Sequence, residues 1–160
     1  MSSEQLTDLD GYHMDRESAS DLLASTGVGV LSLSAEGESY ALPMSFGYDG
    51  GERLYFVFLE AGERSLKTEF ADETTRACVT VFETGGEESA TGTDEWASVV
   101  AKGPVRRVET DEWDDLRSAL ADNAWHPSLF TGASPTGGVT GYVLRIDELT
   151  GRYGGGYDTA

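Results

Sequence analysis

The sequence predicts a mainly β fold, a six-stranded antiparallel barrel with helices at its periphery. Three observations carry that prediction. Six runs rich in valine, leucine and aromatic residues are bounded by clusters of Gly, Pro, Asp and Ser. Most of the runs are joined by short turns. Helix-period segments stand at the start, in the middle and after the fifth run, where they can pack around a sheet rather than within one.

In chain order, Asp15 caps a first helix, with Glu17 in its first turn and Leu22 and Leu23 on its buried side. Thr26-Gly27 ends it. Val28 to Ser34 is a strand with Val28, Val30 and Leu33 inward, and Ala35-Glu-Gly-Glu38 is its hairpin connection. Tyr40 to Tyr48 is a second strand interrupted by Pro43. Proline cannot donate to a central ladder, so Pro43 marks an edge, a bulge or a close approach of something else to the backbone. Asp49-Gly-Gly51 turns the chain into a third strand, Arg53 to Glu60. A second helix begins after Ala61-Gly62 and ends near Ala71. Arg76 to Glu83 is a fourth strand, and Thr84 to Glu95 has loop composition. Trp96 to Val108 is a long fifth strand with a kink or bulge at Gly103-Pro104. Thr110 caps a third helix, Asp111 to Asp122, with Trp113, Leu116 and Leu120 on one face. Asn123 to Gly138 is irregular. Val139 to Ile146 is the last strand, and Asp147 to Arg152 closes it. Residues 1–13 and 153–160 are expected to be flexible, which leaves one domain over 14–152.

The charge balance excludes some functions. Asp and Glu number 29 against 11 Lys and Arg, a formal net charge of −18. Lys67 and Lys102 are the lysines, and the acids are spread singly along the chain. An acidic surface everywhere suits solubility in concentrated salt, where self-repulsion is screened, and points to a salt-adapted cytoplasm; the alternative, a basic partner, would usually concentrate the acid in one block. It excludes non-specific binding to nucleic acid or anionic membranes, which needs Lys and Arg. No apolar run approaches a membrane span, and no basic and apolar leader precedes the domain.

One stretch stands out against this background. The apolar run Leu54-Tyr-Phe-Val-Phe-Leu59 leads into Glu60-Ala-Gly-Glu-Arg-Ser-Leu-Lys67, which places Arg64, Ser65 and Lys67 on the first turns of a helix. Backbone N–H groups there lack partners and the macrodipole is positive, so a phosphate fits. The other reading pairs Arg64 and Lys67 with Glu60, Glu63 and Glu69 on a solvated face.

Elsewhere the chemistry is sparse. Cys78, alone in Ala77-Cys-Val-Thr-Val81, reads as a small buried apolar residue. His126, in Asn123-Ala-Trp-His-Pro127, is a loop histidine satisfied by backbone, or else a proton donor or haem ligand beside a cleft. His13, His126 and Cys78 are scattered, with no metal-site spacing. Gly154-Gly-Gly156 lacks the strand–helix context of a phosphate loop.

The order of these parts resembles the pyridoxamine 5′-phosphate oxidase-like, FMN-binding split β-barrel family, over roughly Met14 to Arg152. The resemblance is carried by Gly29-Val-Leu-Ser-Leu33; by Tyr40-Ala-Leu-Pro-Met-Ser-Phe46; and by Leu54-Tyr-Phe-Val-Phe58 followed by Gly62-Glu-Arg-Ser-Leu-Lys67. Trp96-Ala-Ser-Val-Val-Ala-Lys-Gly103 and Leu144-Arg-Ile146 with Thr150-Gly-Arg152 complete it. It implies a split β-barrel homodimer holding two flavins in clefts between subunits. Pro43, Met44 and Ser45 would line the isoalloxazine, with Phe58 and Leu59 beside it. Arg64, Ser65 and Lys67 would hold the phosphate, in the order Arg-Ser-Leu-Lys where the family has a Ser-Arg-Lys-like motif. Ser98 would lie near the ring or ribityl chain. Trp96 would either cover the ring or plug the barrel mouth.

True pyridoxamine phosphate oxidases carry a C-terminal segment of Arg, Trp and His that grips the substrate phosphate. Here Arg152 is followed by Tyr-Gly-Gly-Gly-Tyr-Asp-Thr-Ala160. The resemblance therefore implies the small, broad subfamily that reduces nitro compounds, quinones or flavin-like acceptors, rather than pyridoxal phosphate synthesis. It implies FMN with a small-molecule electron donor and acceptor; the alternatives are the deazaflavin F420 on the same fold, and a non-catalytic flavin or haem store or sensor. A flavin also accounts for the lack of an acid–base constellation, since the cofactor carries the redox chemistry.

Overall fold

A computed structural model describes residues 11–59, 65–84, 95–122 and 138–157 of the chain. The elements are β1 (Tyr12–His13), α1 (Arg16–Thr26), β2 (Val28–Ala35), β3 (Glu38–Ser45), β4 (Gly47–Tyr48), β5 (Arg53–Leu59), α2 (Leu66–Glu73), β6 (Arg76–Glu83), β7 (Ala97–Arg107), a 3-10 turn (Thr110–Glu112) running into α3 (Trp113–Ala121), β8 (Val139–Arg145) and β9 (Glu148–Tyr153). The strands follow the order β3-β2-β6-β7-β8-β5-β4, with β9 paired to β7 and β1 to β9. Every ladder is antiparallel. The curled sheet is the split barrel expected from the sequence.

The split is made on β7. Its first half, Ala97 to Lys102, pairs with β9, whereas Val105 to Arg107 pair with β8. The exchange falls on Gly103-Pro104. A Cβ on Gly103 would lie 1.8 Å from the Arg145 carbonyl oxygen, so only glycine admits the β8–β9 turn across it. Pro104 has no N–H to continue a ladder.

Two cores result. Inside the barrel, Leu31, Leu33, Phe46, Leu54, Phe56, Phe58, Val79, Val81, Val99, Tyr142 and Leu144 pack with Leu22 and Leu23 of α1. Outside, Trp113, Leu116 and Leu120 of α3 pack on Tyr55, Val57 and Val143. β5 is thus buried on both faces, which explains its unbroken apolar run.

Several sequence expectations hold. The Asp15 carboxylate accepts from the Ser18 N–H at 2.8 Å, and Gly27 ends α1 at φ 69°. Pro43 sits on an edge strand. Others need correction. β2 buries Gly29, Leu31 and Leu33 and leaves Val28 and Val30 half-exposed, because its register sets Leu31 against Leu42 and Val79. The predicted second strand breaks at Phe46, whose N–H donates to Gly27, and β4 joins β5 instead. Gly47 there lies under α3, where a Cβ would come within 2.5 Å of the Ala119 backbone. Thr110 does not cap the third helix. Its entry is fixed by Glu112, whose carboxylate accepts from the Glu109 N–H at 2.9 Å and from Arg106 at 2.6 and 2.9 Å.

The closing segment is a further strand, β9, and β1 pairs with it inside the supposed flexible N-terminus. Tyr153 belongs to β9, and past it the Gly154 N–H donates to Trp96 O while the Tyr157 hydroxyl donates to Glu83. Residues 1–10, 60–64, 85–94, 123–137 and 158–160, with most of both predicted loops, lie outside the described residues.

Candidate functional site

The strand–helix corner builds one part of the site. β5 ends at Leu59, which is 68% exposed, and Ser65 caps α2. The Ser65 hydroxyl accepts from the Thr68 N–H at 3.3 Å and shares a 2.8 Å hydrogen bond with the Thr68 hydroxyl. The N–H groups of Leu66 and Lys67 then stand at the helix start, where no intrahelical acceptor reaches them. Lys67 turns back over the end of β5, its Nζ 5.3 Å from the centre of the Phe58 ring. Among the described residues Lys67 makes no ion pair, and Glu60 and Glu63, with which the solvated-face reading would pair it, lie outside them. Arg64 lies outside the described residues.

Phe58 is fully buried, with Phe56 and Tyr142 each 5.4 Å away centre to centre. It is the floor beneath Lys67 rather than an open wall. The helix is fixed from its far end. The Asp72 carboxylate accepts from Arg107 at 2.7 and 2.6 Å and from the Tyr142 hydroxyl at 2.9 Å. Burial first, then Asp72, raises the Tyr142 hydroxyl above its ordinary pKa, so it stays a donor. Thr74, itself buried, bonds the backbone of Ser34 and Phe70, and Phe70 stacks on Tyr40.

The second part is one face of the larger sheet. Cross-strand partners share a face, and Pro43 opposes Val30, Val30 opposes Thr80, Thr80 opposes Val100, and Val100 opposes Thr150. Ser45 opposes Val28, and Ser98 stands between Phe82 and Arg152. Pro43, Ser45 and Ser98 therefore lie on the outer face, the first two about 14 Å from Ser98 at three strand spacings. Met44 points the other way, against the core. Trp96, just before β7, is half-buried against the chain's own N-terminal segment, with its ring where a Cβ on Gly11 would be.

Around Ser98 the structure gathers residues that the sequence left apart. His13, Val100, Thr150, Gly151 and Arg152 line a cavity of about 250 Å³ with it. Period-two alternation along Glu148 to Arg152 is the signal that sets Thr150 and Arg152 on one face. His126 lies outside the described residues. Glu109, Asp111 and Glu112 bring carboxylates together at the foot of α3, but Arg106 already holds Glu112. No helix among the described residues is long and apolar enough to cross a membrane.

A family model described as pyridoxamine 5′-phosphate oxidase matches residues 15–153. Solved structures share the fold. A FAD-binding protein from Mesorhizobium loti is 19% identical at a TM-score of 0.68, over 88% of this chain and 96% of that one. A FAD and haem binding protein from Mycobacterium smegmatis is 18% identical at 0.68, over 91% of this chain and 74% of that one. A flavocytochrome from Azotobacter vinelandii is 18% identical at 0.65, over 91% and 70%. No curated protein matches the chain.

Proposed function

The chain belongs to the pyridoxamine 5′-phosphate oxidase family, and from that premise we propose that it is a flavin-dependent oxidoreductase working as a homodimer between a small-molecule donor and a small-molecule acceptor. The observation that carries the reading is the corner after β5. Two helix-start N–H groups without an intrahelical acceptor, the Ser65 cap and the Lys67 ammonium over the neighbouring Phe58 ring stand at one strand–helix corner, in a chain whose net charge is −18. A flavin phosphate fits that donor set, with Arg64 as the further cation. Lys67 loses little by binding, because the Phe58 ring already limits its conformations.

When bound, the flavin supplies electron and hydride transfer. The chain's own residues would hold and orient it: Ser65, Lys67 and Arg64 at the phosphate, and Pro43, Ser45, Leu59 and Ser98 toward the ring and ribityl chain, with Met44 offering only its backbone because its side chain packs on the core. Phe58 supports from beneath, and Trp96 closes the barrel mouth. Val28, Val30, Thr80, Val100 and the 61%-exposed Phe82 leave an apolar stripe on the outer face. A second copy of the chain would cover it and shut water out of the cleft. The spread of acidic residues supports a place in a salt-rich cytoplasm.

The sequence points to FMN, and the neighbours described as FAD-binding add FAD to the choice. Titration of the purified chain with FMN and FAD, followed by flavin fluorescence, tests the reading. One flavin bound per chain, bleached by reduced nicotinamide, is the expected result. Failure to take up either flavin, with uptake of F420 or haem, would keep the fold and overturn the cofactor.

A further inference from the structure

We propose that Asp72 is a positioning residue for the corner at the start of α2: by holding the rear of the helix to β7 and β8, it sets how well the corner takes the phosphate of a flavin. This role rests on the flavin reading of that corner. Asp72 stands in the last turn of α2, where a negative charge opposes the helix macrodipole, so helix formation gives no reason for an acid there. Donors from two strands hold it instead. Arg107 of β7 donates from Nε and Nη2 at 2.7 and 2.6 Å, and the Tyr142 hydroxyl of β8 donates at 2.9 Å. Arg107 and Tyr142 are direct cross-strand partners, so the register of the sheet presents both at one place. A buried hydroxyl needs one acceptor, and a backbone carbonyl would serve. Among side chains, a carboxylate alone accepts a two-pronged guanidinium and a hydroxyl at once, which pins the end of α2 along two directions.

The same cluster reaches the front of the helix by a second route. Tyr142 stacks on Phe56 with ring centres 5.2 Å apart and planes 10° apart, and it meets Phe58 at 5.4 Å. Lys67 Nζ stands 5.3 Å from the centre of that Phe58 ring. Asp72 therefore fixes the helix that carries Lys67 and, through Tyr142, the ring on which Lys67 rests. Apolar burial adds little, since the buried residues of α2 are Thr68 and Ala71. Thr74 ties the same end to Ser34 of β2, so loss of the Asp72 carboxylate leaves α2 attached but free to tilt about that bond. Lys67 lies about 10 Å along the axis from Thr74 at the α-helical rise, and a tilt of ~6° there moves the corner by about 1 Å. A shift of that size spoils a geometry built on short hydrogen bonds.

The test compares FMN with riboflavin, which has the same ring and ribityl chain and no phosphate, by fluorescence titration of the full chain. Asp72→Ala is expected to weaken FMN at least ~10-fold and riboflavin less than about twofold. In the Lys67→Gln chain the same substitution should weaken FMN much less, because the group it positions is gone. A merely structural role would weaken both flavins alike and would add to Lys67→Gln. Tyr142→Phe keeps the stacked ring and removes one donor, so it stays informative if the alanine variant does not fold. It should weaken FMN a few-fold and leave riboflavin unchanged. Equal losses for the two flavins, or no loss of either, in the variants that fold overturn the role. The wild-type chain separates this role from the reading beneath it. No preference for FMN over riboflavin there removes the phosphate from α2 and this role with it, whereas a preference that survives Asp72→Ala and Tyr142→Phe removes the role alone.

Discussion

Helices α2 and α3 are of similar length, 8 and 9 residues, and are held in opposite ways. α3 lies on the outside of β5 and β8 through an apolar face of Trp113, Leu116, Ala119 and Leu120. α2 buries only Thr68 and Ala71 and leaves Leu66 57% exposed. Its anchors are polar and sit at its rear: Asp72 on Arg107 and Tyr142, and Thr74 on Ser34. Apolar burial is non-directional and stabilises the fold wherever it occurs. Directional hydrogen bonds at one end fix where the other end points. The helix that contributes least apolar burial is thus the one whose start is aimed.

The largest effect that sharpens this contrast is on binding. Replacing Arg64 and Lys67 together by alanine should weaken flavin affinity by several kcal/mol, at roughly 1.5–3 kcal/mol for each charge-assisted hydrogen bond to the phosphate that disappears. The denaturation midpoint should hardly move, since Lys67 is half-exposed and makes no ion pair among the described residues. Flavin titration beside urea unfolding reads both. Unchanged affinity in the double variant would remove the phosphate from α2.

The mirror experiment comes next. Trp113 is 5% exposed, and Trp113→Ala should cost about 3–5 kcal/mol of unfolding free energy through lost burial and a cavity. Flavin affinity, measured below the unfolding transition, should stay within about twofold, because α3 packs on the face of β5 opposite to Phe58. A Trp113 variant that keeps its stability and loses flavin would break the comparison between the helices.

What the sequence made legible follows the same division. Signals that act within a few residues read correctly: Asp15 and Gly27 at the ends of α1, the Ala35–Glu38 hairpin and the break at Gly103-Pro104. What failed depends on partners far along the chain. The inward face of β2 is decided by Leu42 and Val79, and short motifs of Val and Leu look alike from either side. β9 was hidden because a Thr-Gly-Arg stretch has weak strand character until β7 pairs with it. The donor set around Ser98 needs residues 13, 98 and 152 to meet, and no local pattern announces that.

The smallest expected effect lies at the foot of α3, where a charge-assisted pair sets its entry. Arg106 holds the Glu112 carboxyl down at about 2 against an ordinary 4.5, with the Glu109 N–H helping. A carboxylate depressed on folding contributes stability in full above its unfolded pKa, and that contribution is lost as pH falls from about 4.5 toward 2. Arg106 is 55% exposed, so solvent screening holds the worth of the pair to about 0.5–1 kcal/mol rather than the full value of the shift. Glu112→Gln should therefore lower stability by that amount near pH 6, and urea midpoints of variant and wild type should converge by pH 2.5. A gap that persists at pH 2.5 would mean that Glu112 acts through packing. The foot of α3 would then be apolar in effect like the rest of that helix, and directional anchoring would belong to α2 alone.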